Sequence, residues 1–452
     1  MNAGVVLVQT LRHFWPELNA WIGDIDDPRF LPFVVYDKRF LLYWGLGLFL
    51  FKLGSRRQLD FQLDAQDTYV LDNVNRLAGT AQTTRPVHNT LNHFLGGIGA
   101  ASLAALRTRL VQRLLRMKVL EDARLQGRYR ILIDGTGFLH FRERHCEYCL
   151  TQQHGNDTHY LHQVLEAKLV GPAGVVVSLA TEFIDNQDAA GTPAEAGAER
   201  RKQDCELKAL ARLLPRLRRE FPQLSICLCG DSLHACGPVL QLAQQYRAAY
   251  VLTLKEGRLP TVWQEFQSLW PHCPDNRVLL QTPDHKRQEY RWVHDLAYTD
   301  SEGRNWTFTV LQCQESTATQ TTTWAWITGL KVTARTVVEV ATKGGRERWC
   351  IENEGFNMQK NSALNLEHPY SRRYWQAYYY LLQIAHLVLQ LVEKGSLLKR
   401  LAQTAGQRVL GLFGSLKNIA ERLRESFRNV RLPDAAYDPD RARRMQIRLD
   451  SS

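Results

Sequence analysis

The chain has 452 residues, 44% of them hydrophobic, which is enough for two or three domains that each bury a core. Lys and Arg number 57 against 46 Asp and Glu, so the net charge is +11; this favours a polyanionic partner, nucleic acid first, over an acidic small molecule. The excess is uneven, since thirteen basic and six acidic residues from Lys394 to Ser452 give this tail a net charge of +7.

The cysteines and the apolar segments argue against a secreted or membrane-spanning protein. The nine cysteines are an odd number and the N-terminus has no secretory signal, so we expect a reducing cytoplasm rather than a disulfide framework. The most apolar run, Phe40 to Phe51, has about twelve residues, fewer than the roughly twenty that span a bilayer. We predict that it is a buried helix and that the protein has no membrane partner.

Residues 1–126 are predicted to be helical. Apolar residues recur there at three- and four-residue spacing, and a longer helix is predicted from about Ala100 to Ala123. Basic residues of this helix lie largely off its apolar stripe, and this face either follows a DNA backbone or is simply solvated. These basic residues are Arg107, Arg109, Arg113, Arg116 and Lys118.

From residue 127 the pattern changes to that of a mixed α/β domain. Apolar strands are predicted at Tyr129 to Leu139, His162 to Val170 and Val175 to Ile184, followed by a mobile loop from Asp185 to Arg201. A helix, a strand, a helix and a fifth strand ending at Leu254 come next. Three strands followed by helix, strand, helix and strand is the order of an RNase H-like core.

The predicted fold class is therefore α/β, an RNase H-like mixed sheet core with a β-strand insertion, flanked by helical N- and C-terminal regions. Four short strand-like runs separated by turn residues indicate the insertion. The predicted parts are a helical N-terminal region that helps to bind DNA ends (1–126), the first part of the catalytic core (127–256), the insertion (257–332), the last part of the core (333–395) and a basic helical C-terminal region (396–452).

Three carboxylates stand where such a core could bring them together. Asp134 interrupts the first strand, Asp231 follows the fourth, and Glu352 lies on a predicted helix after the insertion. Converging carboxylates repel one another unless a cation binds. Two Mg²⁺ or Mn²⁺ ions would remove the repulsion and direct water or a 3′-hydroxyl at a phosphodiester. On spacing alone, three unrelated carboxylates at element ends explain the pattern equally well.

The segments around these carboxylates resemble the DDE transposases of bacterial insertion sequences, the group with a Tyr-Arg-Glu-Lys signature around the third carboxylate. The resemblance runs from about residue 70 to 395 and implies that Asp134, Asp231 and Glu352 form a catalytic triad that binds two Mg²⁺ (or Mn²⁺) ions. It also implies that Arg348 and Lys360 lie near DNA phosphates. The similar segments, in order, are ILIDGTG, KQDCE, CGDS, RWCIENEGFNMQKN and LNLEHPYS.

Two positions depart from the family signature. The signature tyrosine falls at Gly345, and Lys360 lies one residue farther from Glu352 than the pattern has it. Because one residue rotates a helical side chain by about 100°, Lys360 matches the signature less well than Arg348 does. The family also has a β-strand insertion, which agrees with residues 257–332. In it, Trp324 and Trp326 either stack on a flipped base or pack the strand.

A second group of metal-ligand residues follows the first strand. Cys146 and Cys149 form a C-x-x-C motif that can hold Zn²⁺ together with histidines. A firm prediction needs a second paired cluster, and the sequence has none. Reduced cysteines beside a hairpin are therefore favoured over a structural Zn²⁺. His386, in an apolar helix, is expected to be a core histidine with a hydrogen-bond partner. The histidines near the motif are His145, His154, His159 and His162.

The sequence thus predicts a DDE transposase that cuts double-stranded DNA at the terminal inverted repeats of an element and joins the released 3′-hydroxyl to target DNA. The resemblance implies a homodimer in the DNA complex and a cytoplasmic, nucleoid-associated protein. Two other functions remain open. One is an RNase H-like nuclease without strand transfer, and the other is a DNA-binding regulator that has lost catalysis.

Overall fold

The structure, a computed structural model, is of the mixed α/β class, as predicted, with helices packed on one open sheet. Most of the loop predicted from Asp185 to Arg201 lies outside the described part of the chain. The structure describes residues 2–63, 69–121, 124–146, 148–186, 204–283 and 285–449.

Within the described residues the sheet has ten strands, and each predicted strand overlaps one of them, although β8 continues six residues beyond its expected end. The strand β2 and its hairpin with β3 were not predicted. The strands are β1 (Tyr129–Phe141), β2 (Leu150–His154), β3 (Asp157–Val170), β4 (Val176–Ile184), β5 (Ile226–Gly230), β6 (Ala249–Thr253), β7 (Arg277–Gln281), β8 (Arg287–Thr299), β9 (Asn305–Ser316) and β10 (Thr321–Thr328).

The middle of the sheet combines antiparallel and parallel pairs. Its order is β2-β3-β1-β5-β6-β10-β9-β8-β7, with β4 also paired to β3. β3 is antiparallel to both β1 and β4, whereas β5 is parallel to both β1 and β6. Every strand of β1 to β6 except the short β2 therefore belongs to a block in the order β4-β3-β1-β5-β6.

The predicted insertion continues the same sheet. β10 runs antiparallel to β6, with Thr328 opposite Val251, and β9, β8 and β7 follow outward from it. A helix at Pro260–Leu269 precedes these strands and was not predicted. Residues 257–332 therefore widen the central sheet. Their buried side chains on one face belong to the same hydrophobic cluster as side chains of β1, β5 and β6.

Helices cover the sheet and form both ends of the chain. Between α10 and α11 the backbone stays helical but changes form, as a π-helical segment at Val340–Gly345, a 3-10 turn at Arg346–Trp349 and a second π-helical segment at Ile351–Asn357. The α-helices are α1 (Ala3–Phe14), α2 (Leu18–Gly23), α3 (Lys38–Leu50), α4 (Arg57–Gln62), α5 (Val70–Ala78), α6 (His88–Arg116), α7 (Glu206–Glu220), α8 (Gly237–Gln245), α9 (Pro260–Leu269), α10 (Val337–Glu339), α11 (Met358–Asn361), α12 (Trp375–Lys394), α13 (Ser396–Thr404), α14 (Val409–Phe413), α15 (Leu416–Asn429), α16 (Asp434–Tyr437) and α17 (Pro439–Arg444).

The apolar pattern of the sequence predicted the burial of α3 correctly but not the start of α6. α3 is buried from Phe40 to Leu50, as expected. α6 begins twelve residues earlier than predicted and is kinked at Gly99, whose φ is +73°. Among the described helices, α6 alone is long and apolar enough to cross a membrane, but half of its apolar stretch is buried inside the protein. α6 is thus a helix of the protein core.

The basic face predicted on α6 is not wholly a surface. Arg107 is only 1% exposed. It donates hydrogen bonds to the hydroxyls of Ser178 and Thr181 on β4, and both hydroxyls in turn donate to the carboxylate of Glu166. A charged side chain is buried in this way only when it is paired and hydrogen-bonded. Arg107 therefore anchors α6 to the sheet, and only the other basic residues of the helix remain candidates for DNA.

The two ends of the chain pack into one hydrophobic core. A Cβ on Gly4 of α1 would lie 3.0 Å from Cβ of Ser426 on α15, so the two helices touch closely. Asn73 of α5 donates to the carbonyls of Phe427 and Val430. The apolar α12 lies in the same core and contacts α1, α3, α6 and β4. The N-terminal and C-terminal regions are thus parts of one helical layer.

Candidate active site

Asp134 and Asp231 lie on neighbouring strands at the same level of the sheet. β1 and β5 are parallel, with Leu132 opposite Cys229. Continuing this register by two residues brings Asp134 level with Asp231, which directly follows β5. Neighbouring strands are about 4.8 Å apart. Residues far apart in sequence are therefore close at this edge, as the sequence analysis expected.

Glu352 reaches this edge because its helical segment lies close against the sheet. A Cβ on Gly344 would lie 2.7 Å from Cγ2 of Val251, and a Cβ on Gly345 would lie 2.2 Å from Cε2 of Trp326. A larger side chain at either position would push the segment away from β6 or β10. The Trp326 ring thus fills the space beside the position where the family signature has a tyrosine.

Arg348 joins the third carboxylate to the first. Its Nη2 lies 3.0 Å from Oε1 of Glu352, and its Nη1 lies 3.6 Å from Oδ2 of Asp134. The side chain of Arg348 is 12% exposed. Its pairing with Glu352 follows from the i,i+4 spacing, whereas its contact with Asp134 depends on the fold. The guanidinium supplies positive charge where carboxylates converge.

Asp134 is the most strongly perturbed carboxyl of the site. Burial raises the pKa of Asp134 to about 7; the charge of Arg348 opposes this rise, and the charges of Glu352, Glu206 and Asp231 add to it. Burial and the three neighbouring carboxylates together therefore outweigh the charge of Arg348. A desolvated carboxyl among like charges is typical of functional sites, although ion-pair networks also produce it.

Asp231 is oriented by a histidine that the sequence analysis did not single out. His234, whose side chain is 1% exposed, lies with Nδ1 2.8 Å from Oδ1 of Asp231. The backbone N–H of Leu233 donates to the same oxygen at 2.9 Å. Burial acts to raise the pKa of Asp231, but the hydrogen bonds from His234 and Leu233 and the charges of His234 and Arg348 together outweigh it, and the pKa is lowered. The i,i+3 spacing of His234 from Asp231 is the sequence feature from which this contact could have been predicted.

A fourth carboxylate, Glu206, also lies at the site. It is the first residue of α7, and a Cβ on Gly135 would lie 2.4 Å from its Oε1. Burial raises the pKa of Glu206, with His234 opposing the rise and Asp231 adding to it. Glu206 is the last residue of KQDCE, one of the segments that resemble the transposases. No role had been predicted for this residue.

A π-helical segment leads from Glu352 toward Lys360. Such turns are frequently found at functional sites. The second π-helical segment, Ile351–Asn357, contains Glu352 and ends three residues before Lys360. Lys360 extends toward Glu367, with Nζ 3.2 Å from its Oε1, and is partly exposed.

The end of this segment is fixed by a buried polar cluster. Nε2 of Gln359 donates to Oε1 of Gln383 at 2.8 Å and lies 2.9 Å from Nδ1 of His386. Burial lowers the pKa of His386 well below its usual range, so the ring is neutral and Nδ1 accepts. His386 is thus the core histidine that was predicted, and it holds the residue next to Lys360.

The two predicted tryptophans differ in exposure. Trp326 is 2% exposed and packs in the hydrophobic cluster against Gly345, so its ring has no free face for a base. Trp324 is half-buried beneath the guanidinium of Arg346, 4.3 Å from the ring centroid. The packing interpretation is therefore favoured for Trp326. Trp349, which the sequence analysis did not consider, is 59% exposed beside Arg348.

Comparison with known proteins adds no family to this geometry. The chain matches no known family model and no curated protein.

The cysteines and histidines after β1 form a second cluster. His145, Cys146, Cys149 and His162 have ligand atoms that all lie within 4.8 Å of one another. His154 and His159, which were also candidates, lie apart as an edge-to-face ring pair in the β2–β3 hairpin. The structure thus places two histidines beside the C-x-x-C motif. His145 directly precedes the motif, and His162 follows it by thirteen residues.

The carboxylates fit a divalent cation by their chemistry and charge. Asp134, Asp231, Glu352 and Glu206 offer hard oxygen ligands, which suit Mg²⁺ or Mn²⁺ rather than Zn²⁺. Burial and the neighbouring carboxylates, which raise the pKa of Asp134, disfavour its ionised form unless a cation lies nearby. Within the described residues, only the His/Cys cluster is a candidate metal group with all its ligand atoms within 4.8 Å, so the carboxylates are more widely spaced around Arg348.

Proposed function

We propose that the protein is a DDE transposase that cuts double-stranded DNA at the ends of a mobile element and joins them to target DNA. The observation that supports this best is the convergence of Asp134 and Asp231 on adjacent parallel strands with Glu352, which Arg348 links to Asp134. Three such carboxylates match the triad implied by the resemblance. The proposed protein acts in the cytoplasm on nucleoid DNA, as a homodimer.

The sheet topology supports an RNase H-like core. The block β4-β3-β1-β5-β6 has three antiparallel strands followed by two parallel ones, and α7 and α8 connect the parallel part. This is the arrangement expected for such a core from the order of its elements. The strands after β6 then return the chain to the helical segment with Glu352.

In the proposed reaction, Asp134, Asp231 and Glu352 would hold two Mg²⁺ ions, whose chemistry when bound is to activate the attacking hydroxyl and stabilise the leaving oxygen. His234 keeps Asp231 oriented and ionised. Arg348 pairs with Asp134 and Glu352. If metal ions held these carboxylates, the guanidinium would be free to donate to a phosphate oxygen, for which it is well suited.

The charge of the chain supports a DNA partner. A net charge of +11 would raise the rate and strength of association with a polyanion. Lys360 and the partly exposed Arg346 lie on the helical segment beside the carboxylates, where phosphates would be bound. Both are paired with glutamates, so DNA would have to exchange these pairs for contacts with phosphate.

The test uses a labelled DNA fragment that contains one terminal inverted repeat of the element encoding the protein. Purified protein is incubated with Mg²⁺, Mn²⁺ or EDTA, and the variant Asp231→Asn is compared with Asp275→Asn. Asp275 is an exposed turn residue, so its variant controls for the loss of one negative charge. We expect metal-dependent cleavage at the element boundary and joined products, lost in Asp231→Asn and kept in Asp275→Asn.

Three other results would change the proposal. Cleavage without joined products would favour the RNase H-like nuclease. Specific binding without cleavage in either metal would favour the DNA-binding regulator. Cleavage that Asp231→Asn retains in full would overturn the assignment of the triad.

A further inference from the structure

The cluster of His145, Cys146, Cys149 and His162 lies outside the carboxylate site, at the far end of β1. Cys146 and Cys149 lie in the connection between β1 and β2, and both are free thiols. His162 lies on β3, opposite Leu139 of β1. One side chain of the cluster thus comes from the sheet, and the other three come from the loop that connects β1 to β2.

The distances among the ligand atoms of Cys146, Cys149 and His162 are those of a tetrahedral zinc site. Sγ of Cys146 and Sγ of Cys149 are 3.6 Å apart, and each lies 3.5 Å from Nε2 of His162. Zn–S bonds of about 2.3 Å and Zn–N bonds of about 2.0 Å place sulfurs about 3.8 Å apart and sulfur and nitrogen about 3.5 Å apart. A disulfide would instead need a sulfur separation of about 2.05 Å.

Buried nitrogen atoms in the cluster lack partners. His162 is completely buried, and its Nδ1 accepts or donates no hydrogen bond among the described residues. Both ring nitrogens of His145 are likewise without a partner in the described part of the chain. An unsatisfied buried polar group costs about 1–3 kcal/mol. Two histidines would be an unfavourable choice here if their only task were to fill space.

We propose that this cluster binds one Zn²⁺ through the two sulfurs, Nε2 of His162 and one ring nitrogen of His145. Binding would release the two thiol protons, so that two thiolates and two neutral imidazoles surround the ion and the site has no net charge. Four protein ligands leave no position for water or substrate, which makes the site structural. The proposal is independent of the reaction at the carboxylates.

The ion would fix the connection between β1 and β2 onto the sheet. The ring of His145 stacks on Phe141, the last residue of β1, with centroids 4.3 Å apart. The ring of His162 packs on Trp375, the first residue of α12, at 4.5 Å. Cys149 precedes β2, whose hairpin with β3 projects beyond β1. Zinc would therefore hold the loop and β3 together, next to the start of α12.

The first measurement is the metal content of the full-length protein, purified under reducing conditions from cells grown with added zinc. We expect about one zinc per chain. The double variant Cys146→Ser/Cys149→Ser should lose at least about nine-tenths of it, because hydroxyls are poor zinc ligands. The matched control, His154→Ala/His159→Ala, removes two histidines of the same hairpin that lie outside the cluster, and it should keep its zinc.

Two further arms make the result decisive. Asp231→Asn should keep its zinc, which separates this site from the carboxylate site. Replacement of zinc by Co²⁺ in the wild-type protein should give the intense visible absorption of tetrahedral cobalt bound by thiolate, and this arm needs no folded variant. Zinc below about one-tenth per chain, a weak octahedral cobalt spectrum, or zinc lost from Asp231→Asn but kept in the cysteine variant would overturn the proposal.

Discussion

Arg348 shows how single residues share charge at the carboxylate site. It contacts Glu352 and Asp134, yet the pKa of Asp134 is still raised to about 7 by burial and by the neighbouring carboxylates. The charge of Arg348 therefore does not offset the combined effect of burial and the neighbouring carboxylates. Glu206 is one of these carboxylates and lies directly over Gly135. Its negative charge should therefore influence how tightly the site holds a divalent cation.

We predict that Glu206→Gln weakens metal binding at the site. Loss of one negative charge near Asp134 should raise the Mg²⁺ concentration needed for half-maximal DNA cleavage roughly tenfold, the usual size of effects from groups around a metal site. The measurement is a Mg²⁺ titration of end cleavage. Glu265→Gln, an exposed glutamate of α9, is the control. An unchanged Mg²⁺ requirement would exclude Glu206 from the site.

Trp349 offers the aromatic surface that Trp326 does not. Its side chain is 59% exposed next to Arg348, so removing it should leave the stability almost unchanged. Stacking on one base contributes about 1–3 kcal/mol. We predict that Trp349→Ala weakens binding of the element's end roughly tenfold, as measured by fluorescence anisotropy. Trp270→Ala, which removes a partly exposed tryptophan directly after α9, is the control. Equal affinity of Trp349→Ala and wild type would rule out stacking.

At the scale of elements, the helical segment with Glu352 is shaped by what lies beneath it. Gly344 and Gly345 allow it to approach β6 and β10, and Lys168 of β3 lies under its second π-helical part. Nζ of Lys168 is completely buried 4.8 Å from the ring centroid of Phe356 and has no hydrogen-bond partner among the described residues. Burial in such a place penalises the charged form of a lysine and lowers its pKa.

The titration of Lys168 predicts a pH-dependent stability. Burial lowers the pKa of Lys168 from 10.5 to about 8, with Glu166 opposing the shift and Arg107 adding to it. His386 also faces this lysine. Between about pH 8 and 10.5 the unfolded chain holds a proton that the folded chain has lost, so raising the pH stabilises the folded state. Below pH 8 the full cost of the buried charge is present.

We predict that the free energy of unfolding of the wild type, minus that of Lys168→Met, increases by about 3 kcal/mol from pH 7.5 to 10.5. The subtraction removes the titration of the other groups. Urea denaturation at several pH values measures it. Lys417→Met, an exposed lysine of α15, should show a difference that does not change with pH. A flat difference for Lys168→Met would mean that this lysine is solvated.

At the scale of the whole molecule, the ends of the chain complete the fold. α15 buries Leu416, Ile419, Leu423 and Phe427 against the N-terminal helices and α12. The basic tail is thus also a structural part, and only its exposed charges are available to DNA. The sheet is likewise continuous from β2 to β7, so the candidate site lies within one extended sheet.

We predict that the protein cannot fold cooperatively when it ends at Gly395. Each large apolar side chain of α15 contributes about 1.5–3 kcal/mol through burial, so the four together contribute on the order of 6 kcal/mol or more. This is comparable with the entire stability of many domains. Thermal unfolding followed by circular dichroism should show no sharp transition, whereas a chain ending at Leu449 should melt like the full protein. A truncated chain with an unchanged melting temperature would show that the tail is an appendage.

The sequence by itself determined the elements whose signals are local. The strands β1, β3, β4, β5 and β6, the buried helix α3 and the i,i+4 pair of Arg348 and Glu352 follow from patterns within a few residues. The level placement of Asp134 and Asp231 was also predictable, because adjacent parallel strands align residues at their ends. The RNase H-like assignment and the transposase function remain predictions that the experiment on DNA ends would test.

Only the tertiary structure decided which distant groups meet. Glu206 joins the site because α7 begins over Gly135, and Arg107 and Trp326 are buried because the surfaces facing them come from other parts of the chain. His162 completes the sulfur cluster because β3 returns beside β1. Sequence periodicity shows which face of an element is apolar, but not which element covers it. That choice is made by the packing of the whole chain.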